Sequence, residues 1–587
     1  MSKVTMLIYF LRPEYARLYH IKFTQTLFFT KEEKKMRDSS HLYIKKLKKI
    51  TKVEANFCDY SKPKSPKHIQ FLNTLKRFTS LNKILSNNIK CSEEGLDYLL
   101  KLPLRCKHIV DFELIGDFDG DNISNFKHLR HLQSLRLSKI KLRVQQHGSS
   151  PDSDRNTQPI FEKIFLSLSK LERLKSLSLS LFEPFSLSIK AITNFLTSTS
   201  LKKVLEDVEL SFSSSDDSDF QDTVGLFQGL SELVHLRYLK LELVGVYKGS
   251  EAQYEQIRNS IRKMADLQKL KLDLGMSSWE GYQYGLRMIL GAFMSLETLG
   301  DFQVQFADSP DITHFFGEIS IMSNLNSLSL GLCDVDSMDD GWLSVLSSSL
   351  GRLEKLSSLE IEVVPKGIST FHLEDFLNSL SNLKGIINLN LSILDGEDIP
   401  FDGSALVKSL TKTVKKLENL QSFSLVTLSG FNNILITNLA SLSALNQAIG
   451  LLSSLKQLTL HLSVSFEYEE SQKYLNSFSK MFGKLVNLES LNLSLTIEGD
   501  SQGRATKPII EKLNKLKKLK DLSLRVYDPK WLLKNRDIDN VGYMVRRLTQ
   551  LESLSVFLHG SAEYNANRFR KKLKRFKYLK NLHLHFR

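Results

Sequence analysis

The chain has 587 residues and a formal net charge of +15, with 80 Lys and Arg against 65 Asp and Glu and a sequence pI near 9.3. A length so far beyond one compact core excludes a single globular domain and demands several domains or an elongated repeat array. The basic excess suits an acidic partner, nucleic acid or an anionic membrane surface without choosing among them.

Four cysteines, Cys58, Cys91, Cys106 and Cys333, show neither close pairing nor metal-ligand spacing, which argues against a disulfide framework or a zinc site and for a reducing compartment. At the start of the chain the apolar run 6–11 stops at Arg12 and Pro13, too short for a secretory core or a membrane span. A cytoplasmic protein is expected, with the nucleus as the alternative. Residues 1–40 carry apolar and basic clusters without a period and read as an N-terminal extension or cap.

From residue 41 a pattern emerges. Faint copies run through Leu47, Ile50, Val53, Ala55 and Phe57, then Phe78, Leu81 and Ile84, then Ile109, Phe112 and Leu114. From about residue 125 it is plain: LKSLSLSL at 174–181, LRYLKLEL at 236–243, LKQLTLHL at 455–462 and LESLNLSL at 488–495. Apolar residues at every second position predict a strand with one buried face. The first inward residue of each strand is Leu135, Leu177, Val208, Leu239, Leu270, Phe302, Leu328, Leu359, Leu389, Phe423, Leu458, Leu491, Leu522, Leu554 and Leu582. Most intervals lie between about 28 and 35 residues, the signature of a solenoid. Between strands the spacing turns helical, as at Leu286, Ile289, Leu290 and Phe293, or at Val414, Leu417 and Leu420.

A strand of pattern LxxLxLxL with a helix in every unit resembles the leucine-rich repeat superfamily over residues 41–587, and the long units resemble its ribonuclease-inhibitor-like branch. In style the irregular Ser-, Lys- and Phe-rich units are similar to the leucine-rich repeat sets of ciliates. The resemblance implies an α/β fold, a curved solenoid or horseshoe with parallel strands on the concave face and helices on the convex face. It also implies binding rather than catalysis. Family repeats place Asn or Cys three residues after the last strand leucine. Cys333 fits, but Val244, Ser463, Thr496 and Tyr527 hold the equivalent places, which predicts strands that run one residue pair longer.

The segments after the strands are polar and share one edge: 143–159, 211–222, 334–341, 394–402, 465–471 and 498–507. Several are acidic, as in SSSDDSDFQD from Ser213 and FEYEE from Phe466, and the serines at 213–218 sit where an acid-directed kinase could act. The C-terminal segment is instead basic, with Arg568, Arg570, Lys571, Lys572, Lys574, Arg575, Lys577 and Lys580 forming an alternative patch for nucleic acid or an anionic surface. Strand residues between the inward leucines face the other way. Lys240, Glu242, Lys269, Lys271, Asp273, Gln303, Gln305, Glu360, Glu362, His461, Asn492, Arg525, Phe557, His583 and His585 form a mixed polar surface, better suited to a protein with complementary local charges than to a polyanion.

Motifs that imitate chemistry do not close. Gly499 to Gly503 reads GDSQG, matching a nucleophile turn around Ser501, yet no His and acid are set to complete a triad. DFDGDN from Asp117 resembles a calcium loop, but Asn122 stands where the turn glycine belongs and His128 where the bidentate Glu belongs. His583 and His585 alternate on one strand face without a third ligand nearby. Glycosylation patterns at Asn122, Asn390 and Asn492 read as chance, the last two inside strands. The sequence therefore predicts a non-enzymatic interaction scaffold with no cofactor, metal or membrane span, binding a protein partner on the concave strands and adjacent loops. The alternatives are the basic C-terminal patch and, by family analogy alone, a substrate receptor of a ubiquitin-ligase or signalling assembly. Nothing in the sequence specifies the oligomeric state.

Overall fold

The computed structural model describes residues 20–24, 52–56, 83–90, 110–119, 131–140, 142–143, 165–181, 185–197, 201–213, 220–244, 249–274, 283–306, 313–332, 341–363, 370–394, 403–428, 439–465, 468–498, 511–527, 543–558 and 581–586. The chain falls into two compact units, residues 1–277 with 284–299 and residues 278–283 with 300–587.

In the first unit every strand lies parallel to its neighbour. The series is β1 (His20–Thr24), β2 (Lys52–Asn56), β3 (Lys83–Lys90), β4 (Asp111–Asp119), β5 (Ser134–Ile140), β7 (Ser176–Leu181), β8 (Asp207–Ser213), β9 (Tyr238–Val244) and β10 (Lys269–Leu274). A two-residue strand, β6 (Leu142–Arg143), adds separately to the end of β4. Ile21, Val53, Ile84, Phe112, Leu135, Leu177, Val208, Leu239 and Leu270 stand opposite one another in succession. The degenerate early copies therefore keep the same register as the strong ones, and a strand of that register already lies within the first forty residues. Helices α1 (Phe185–Leu196), α2 (Phe220–Ser231), α3 (Glu251–Arg262) and α4 (Gln283–Met294) alternate with the later strands.

The second unit repeats the arrangement through β11 (Asp301–Phe306), β12 (Ser327–Leu332), β13 (Ser358–Val363), β14 (Asn388–Leu394), β15 (Ser422–Leu428), β16 (Gln457–Ser465), β17 (Ser490–Glu498), β18 (Asp521–Tyr527), β19 (Ser553–Leu558) and β20 (Asn581–Phe586), all parallel. Between them lie α5 (Thr313–Glu318), α6 (Gly341–Leu350), α7 (Thr370–Leu380), α8 (Gly403–Lys416), α9 (Leu439–Ile449) and α10 (Tyr468–Lys484). Phe302 is in register with Leu328, and so on through Leu359, Leu389, Phe423, Leu458, Leu491, Leu522, Leu554 and Leu582. Parallel strands whose first inward apolar residues share one register within each unit, alternating with helices from α1 to α10 among the described residues, form an α/β leucine-rich repeat array.

The core lies between strands and helices. Inward residues such as Leu491, Leu493 and Leu495 are fully buried. Aromatic rings fill the thicker repeats: Phe315 of α5 meets Phe302 and Phe306 of β11 at centroid distances of 6.2 and 5.6 Å, and Phe316 stacks on Trp342 at 5.2 Å. At roughly 1.5–3 kcal/mol per buried side chain, each repeat needs its neighbours' flanks to offset the entropy of ordering it.

Two expectations are revised. Leu417 and Leu420 are buried but follow α8 rather than belonging to it, because the chain leaves the helix in three-residue turns, with Leu417 N–H donating to Val414 O and Leu420 N–H to Leu417 O, both at 3.3 Å. Such turns keep nearly the helical spacing, so sequence cannot tell them apart. The acidic FEYEE segment is not all loop: Tyr468, Glu469 and Glu470 open α10, where carboxylates suit the positive helix end. The strands do run long. Ser463 and Thr496 pair inside β16 and β17, and Val244 and Tyr527 are the last residues of β9 and β18.

Candidate strand-face interface

Alternation puts the residues between the buried leucines on the opposite face of each sheet, and the common register gathers them into rows. In the first unit one row reads Arg136, Ser178, Glu209, Lys240 and Lys271, and the next reads Ser180, Ser211, Glu242 and Asp273. None of these side chains is buried.

Glu209 is the centre of the first row. It accepts hydrogen bonds from Ser178 Oγ at 2.8 Å and Arg136 Nη2 at 3.2 Å, reaching across one intervening strand. Burial and the nearby Glu209 carboxylate push the Tyr238 phenol up to about 12. In the second row Asp273 stands directly beside Glu242. Burial first and the Glu242 charge second raise its carboxyl above the ordinary value, against the pull of Lys240 and Lys271. Lys269 lies two residues before Lys271 on the same face, opposite Tyr238.

In the second unit Gln303, Ser329, Glu360, Asn390, Ser424, Thr459, Asn492, Ser523, Ser555 and His583 share one row. The next row carries Gln305, Gly331, Glu362, Ser392, Val426, His461, Ser494, Arg525, Phe557 and His585. Glu360 accepts from Ser329 Oγ at 3.1 Å and Asn390 Nδ2 at 2.5 Å. Burial lowers the pKa of His461, partly countered by its hydrogen bond with Asn492, and the charge of Arg525 lowers it further, so the imidazole is neutral at physiological pH. The Arg525 guanidinium lies 5.2 Å from the Phe557 ring centroid. From β15 onward neither row contains an acid, whereas Glu360 and Glu362 both stand on β13. These two rows are acidic early in this unit and neutral to basic late, while Asp521 of β18 stands on the same face one row before them.

Every predicted strand-face residue thus occupies a strand-face position, with His583 and His585 placed by backbone register alone. The basic cluster from Arg568 to Lys580, Ser501, the Asn122 and His128 positions and residues 214–218 of the serine-rich segment lie outside the described residues. Among the described residues no three His, Cys, Asp or Glu side chains group as metal ligands, and no helix is long and apolar enough to cross a membrane.

Sequence reasoning missed a second polar system on the edge where chains enter the strands. The residue four before the first inward position reaches back to the preceding repeat. Thr298 Oγ1 donates to Ala265 O at 2.7 Å, Asn419 Nδ2 to Lys384 O at 3.1 Å, Ser454 Oγ to Leu420 O at 2.8 Å and Asn487 Nδ2 to Ser453 O at 2.8 Å. The residue two before that position forms a second ladder, with Lys175 on Glu206 at 2.6 Å, Lys456 on Gln421 at 2.9 Å and Lys520 on Glu489 at 2.5 Å. Small polar residues at a fixed offset were the available signal.

No protein-family model matches the chain, and no curated protein does. Among solved structures, the leucine-rich repeat-containing protein LegL7 from Legionella pneumophila is similar at 14% identity over 55% of this chain and 93% of its own, with a TM-score of 0.31. A protein from Bacteroides fragilis is similar at 11% identity over 66% of this chain and 86% of its own, with a TM-score of 0.26. The repeat and its strand register define the fold.

Proposed function

We propose that this leucine-rich repeat protein is a non-enzymatic interaction scaffold that recognises a protein partner on its strand face, in the manner of the ribonuclease-inhibitor-like branch. The observation that carries the reading is the strand-face register: polar residues of both signs, held in rows by neighbouring repeats, with partly exposed side chains. Ordered charges of both signs favour a partner with a complementary pattern, because a wrong pairing costs more than a right one gains. A uniform polyanion would meet Glu209, Glu242, Asp273, Glu360 and Glu362, which oppose it.

Quantitative affinity purification tests the reading with a triple variant, Lys240→Glu, Lys269→Glu and Lys271→Glu, and with Arg525→Glu. A partner that the wild-type protein retains and the strand-face variants lose, while Lys408→Glu with Lys412→Glu on α8 keeps it, meets the expectation. Retention by all variants alike refutes the strand face as the binding surface.

A further inference from the structure

The helix side of the second unit carries a recess that plays no part in the strand face. It lies between α9 and α10, has a volume of about 160 Å³ and is lined by Ser443, Asn446, Gln447, Asn476, Ser477 and Met481 together with Lys473, Lys480 and Lys484. No acid lines it. Among the described residues none of the three lysines forms an ion pair.

Spacing explains why the lysines meet there. Positions 473, 480 and 484 differ by seven and four, so they share one stripe of α10. A rise of about 1.5 Å per residue sets Lys480 and Lys484 about 6 Å apart along the axis, with Lys473 about 10 Å further back. Two ammonium groups can therefore converge on one anion, and the third can reach a substituent beyond it. Lys484 also lies across the end of α9, since a Cβ on Gly450 would come within 3.4 Å of its Cδ. The carbonyls at that helix end can engage one cation, and Lys480 stands a full turn away from Lys484.

The floor is polar and fixed. Asn446 is only 2% exposed, and its Nδ2 donates to Ser477 Oγ at 2.7 Å, which in turn donates to Tyr474 O at 2.7 Å. This bond ties α9 to α10 where an apolar contact would otherwise serve. It fixes one amide and one hydroxyl at the floor beside the cations, with the exposed Gln447 and Asn476 at the rim.

We propose that the recess between α9 and α10 binds a phosphate group of a phosphate-bearing ligand, with Lys480 and Lys484 neutralising it, Asn476 and Gln447 completing its hydrogen bonds and Lys473 engaging a second anionic substituent. Lysine acts as a point charge on phosphate, and the two amide donors of Gln447 and Asn476 around two ammonium groups suit a tetrahedral dianion better than a planar carboxylate. The volume admits a head group rather than a whole ligand, so the rest of the molecule projects into solvent. Both a soluble organic phosphate and a phosphorylated lipid headgroup carry this chemistry.

The test uses the full chain at low ionic strength. Inorganic pyrophosphate is titrated calorimetrically, and flotation is measured with phosphatidylcholine vesicles carrying a phosphatidylinositol phosphate. Saturable pyrophosphate binding is expected, weakened about tenfold by Lys480→Gln and by Lys484→Gln and unchanged by Lys408→Gln with Lys412→Gln. Pyrophosphate binding without flotation identifies a soluble source, and flotation that pyrophosphate competes away identifies a lipid headgroup. The proposal is overturned if pyrophosphate fails to bind saturably, if flotation resists competition, or if the α8 variant weakens binding as much as the α10 variants.

Discussion

At the scale of single residues, the same inward position is apolar in every described strand while its neighbours differ, and the two behave oppositely on substitution. Leu491 is 1% exposed, and Leu491→Ala is expected to cost about 2–5 kcal/mol by chemical denaturation, because the repeats on either side cannot close the cavity. Thr413 shows a less obvious dependence. It is fully buried on α8, and its hydroxyl donates to Leu377 O, within four residues of the end of α7, where carbonyls lack helical partners. Thr413→Val keeps the shape and orphans that carbonyl, so a loss of about 1–3 kcal/mol is expected where an isosteric swap would otherwise be mild. Asp273 behaves the other way. Its folded pKa is raised above 3.8, so its contribution to stability is present below that value, declines as pH rises through the folded pKa and is gone at neutral pH, where the ionised carboxyl faces Glu242. Asp273→Asn should therefore raise the thermal midpoint at neutral pH and leave it unchanged in acid.

At the scale of elements, side chains on the entry edge bond one repeat to the next. Asn487 shows the economy of the arrangement: its Nδ2 donates to Ser453 O at 2.8 Å while its Oδ1 accepts from Lys518 Nζ at 2.7 Å, joining three successive repeats. Asn487→Ala is expected to cost about 1 kcal/mol, with faster amide exchange at the start of β17 and β18 as the local readout. The strand face was legible because alternation alone assigns each residue a side. Its couplings were not: nothing about Arg136 in sequence indicates a bond to Glu209, 73 residues away. The groove was hidden for a similar reason. Lys473, Lys480 and Lys484 form an ordinary helical stripe until Asn446 and Gln447 of the preceding repeat are placed beside them.

At the scale of the whole chain, each of the two units is a nearest-neighbour array of repeats, so stability is distributed along each unit rather than concentrated in one nucleus. Leu425, fully buried in β15, is suited to test this. Leu425→Ala should accelerate hydrogen exchange in β14, β15 and β16 and leave β7 and β8 at wild-type rates; uniform acceleration would instead indicate one cooperative unit.

Sequence by itself determined the repeat, its period and the register, down to the inward residue of each strand from Phe112 to Leu582, because a parallel array asks the same apolar residue of every repeat at the same place. That demand survives even in the faint copies at Val53 and Ile84. Tertiary structure alone decided which polar residues meet: the pairing of Asp273 with Glu242, the entry-edge ladders, the stacking of Arg525 on Phe557 and the lysine-lined recess. Those contacts join residues about 30 positions apart, and a shift of one residue in any connecting segment would dissolve them without changing the leucine pattern. The constant residues are set by burial, which acts on each position separately; the variable ones act in pairs, and pairs exist only once the register has brought them together.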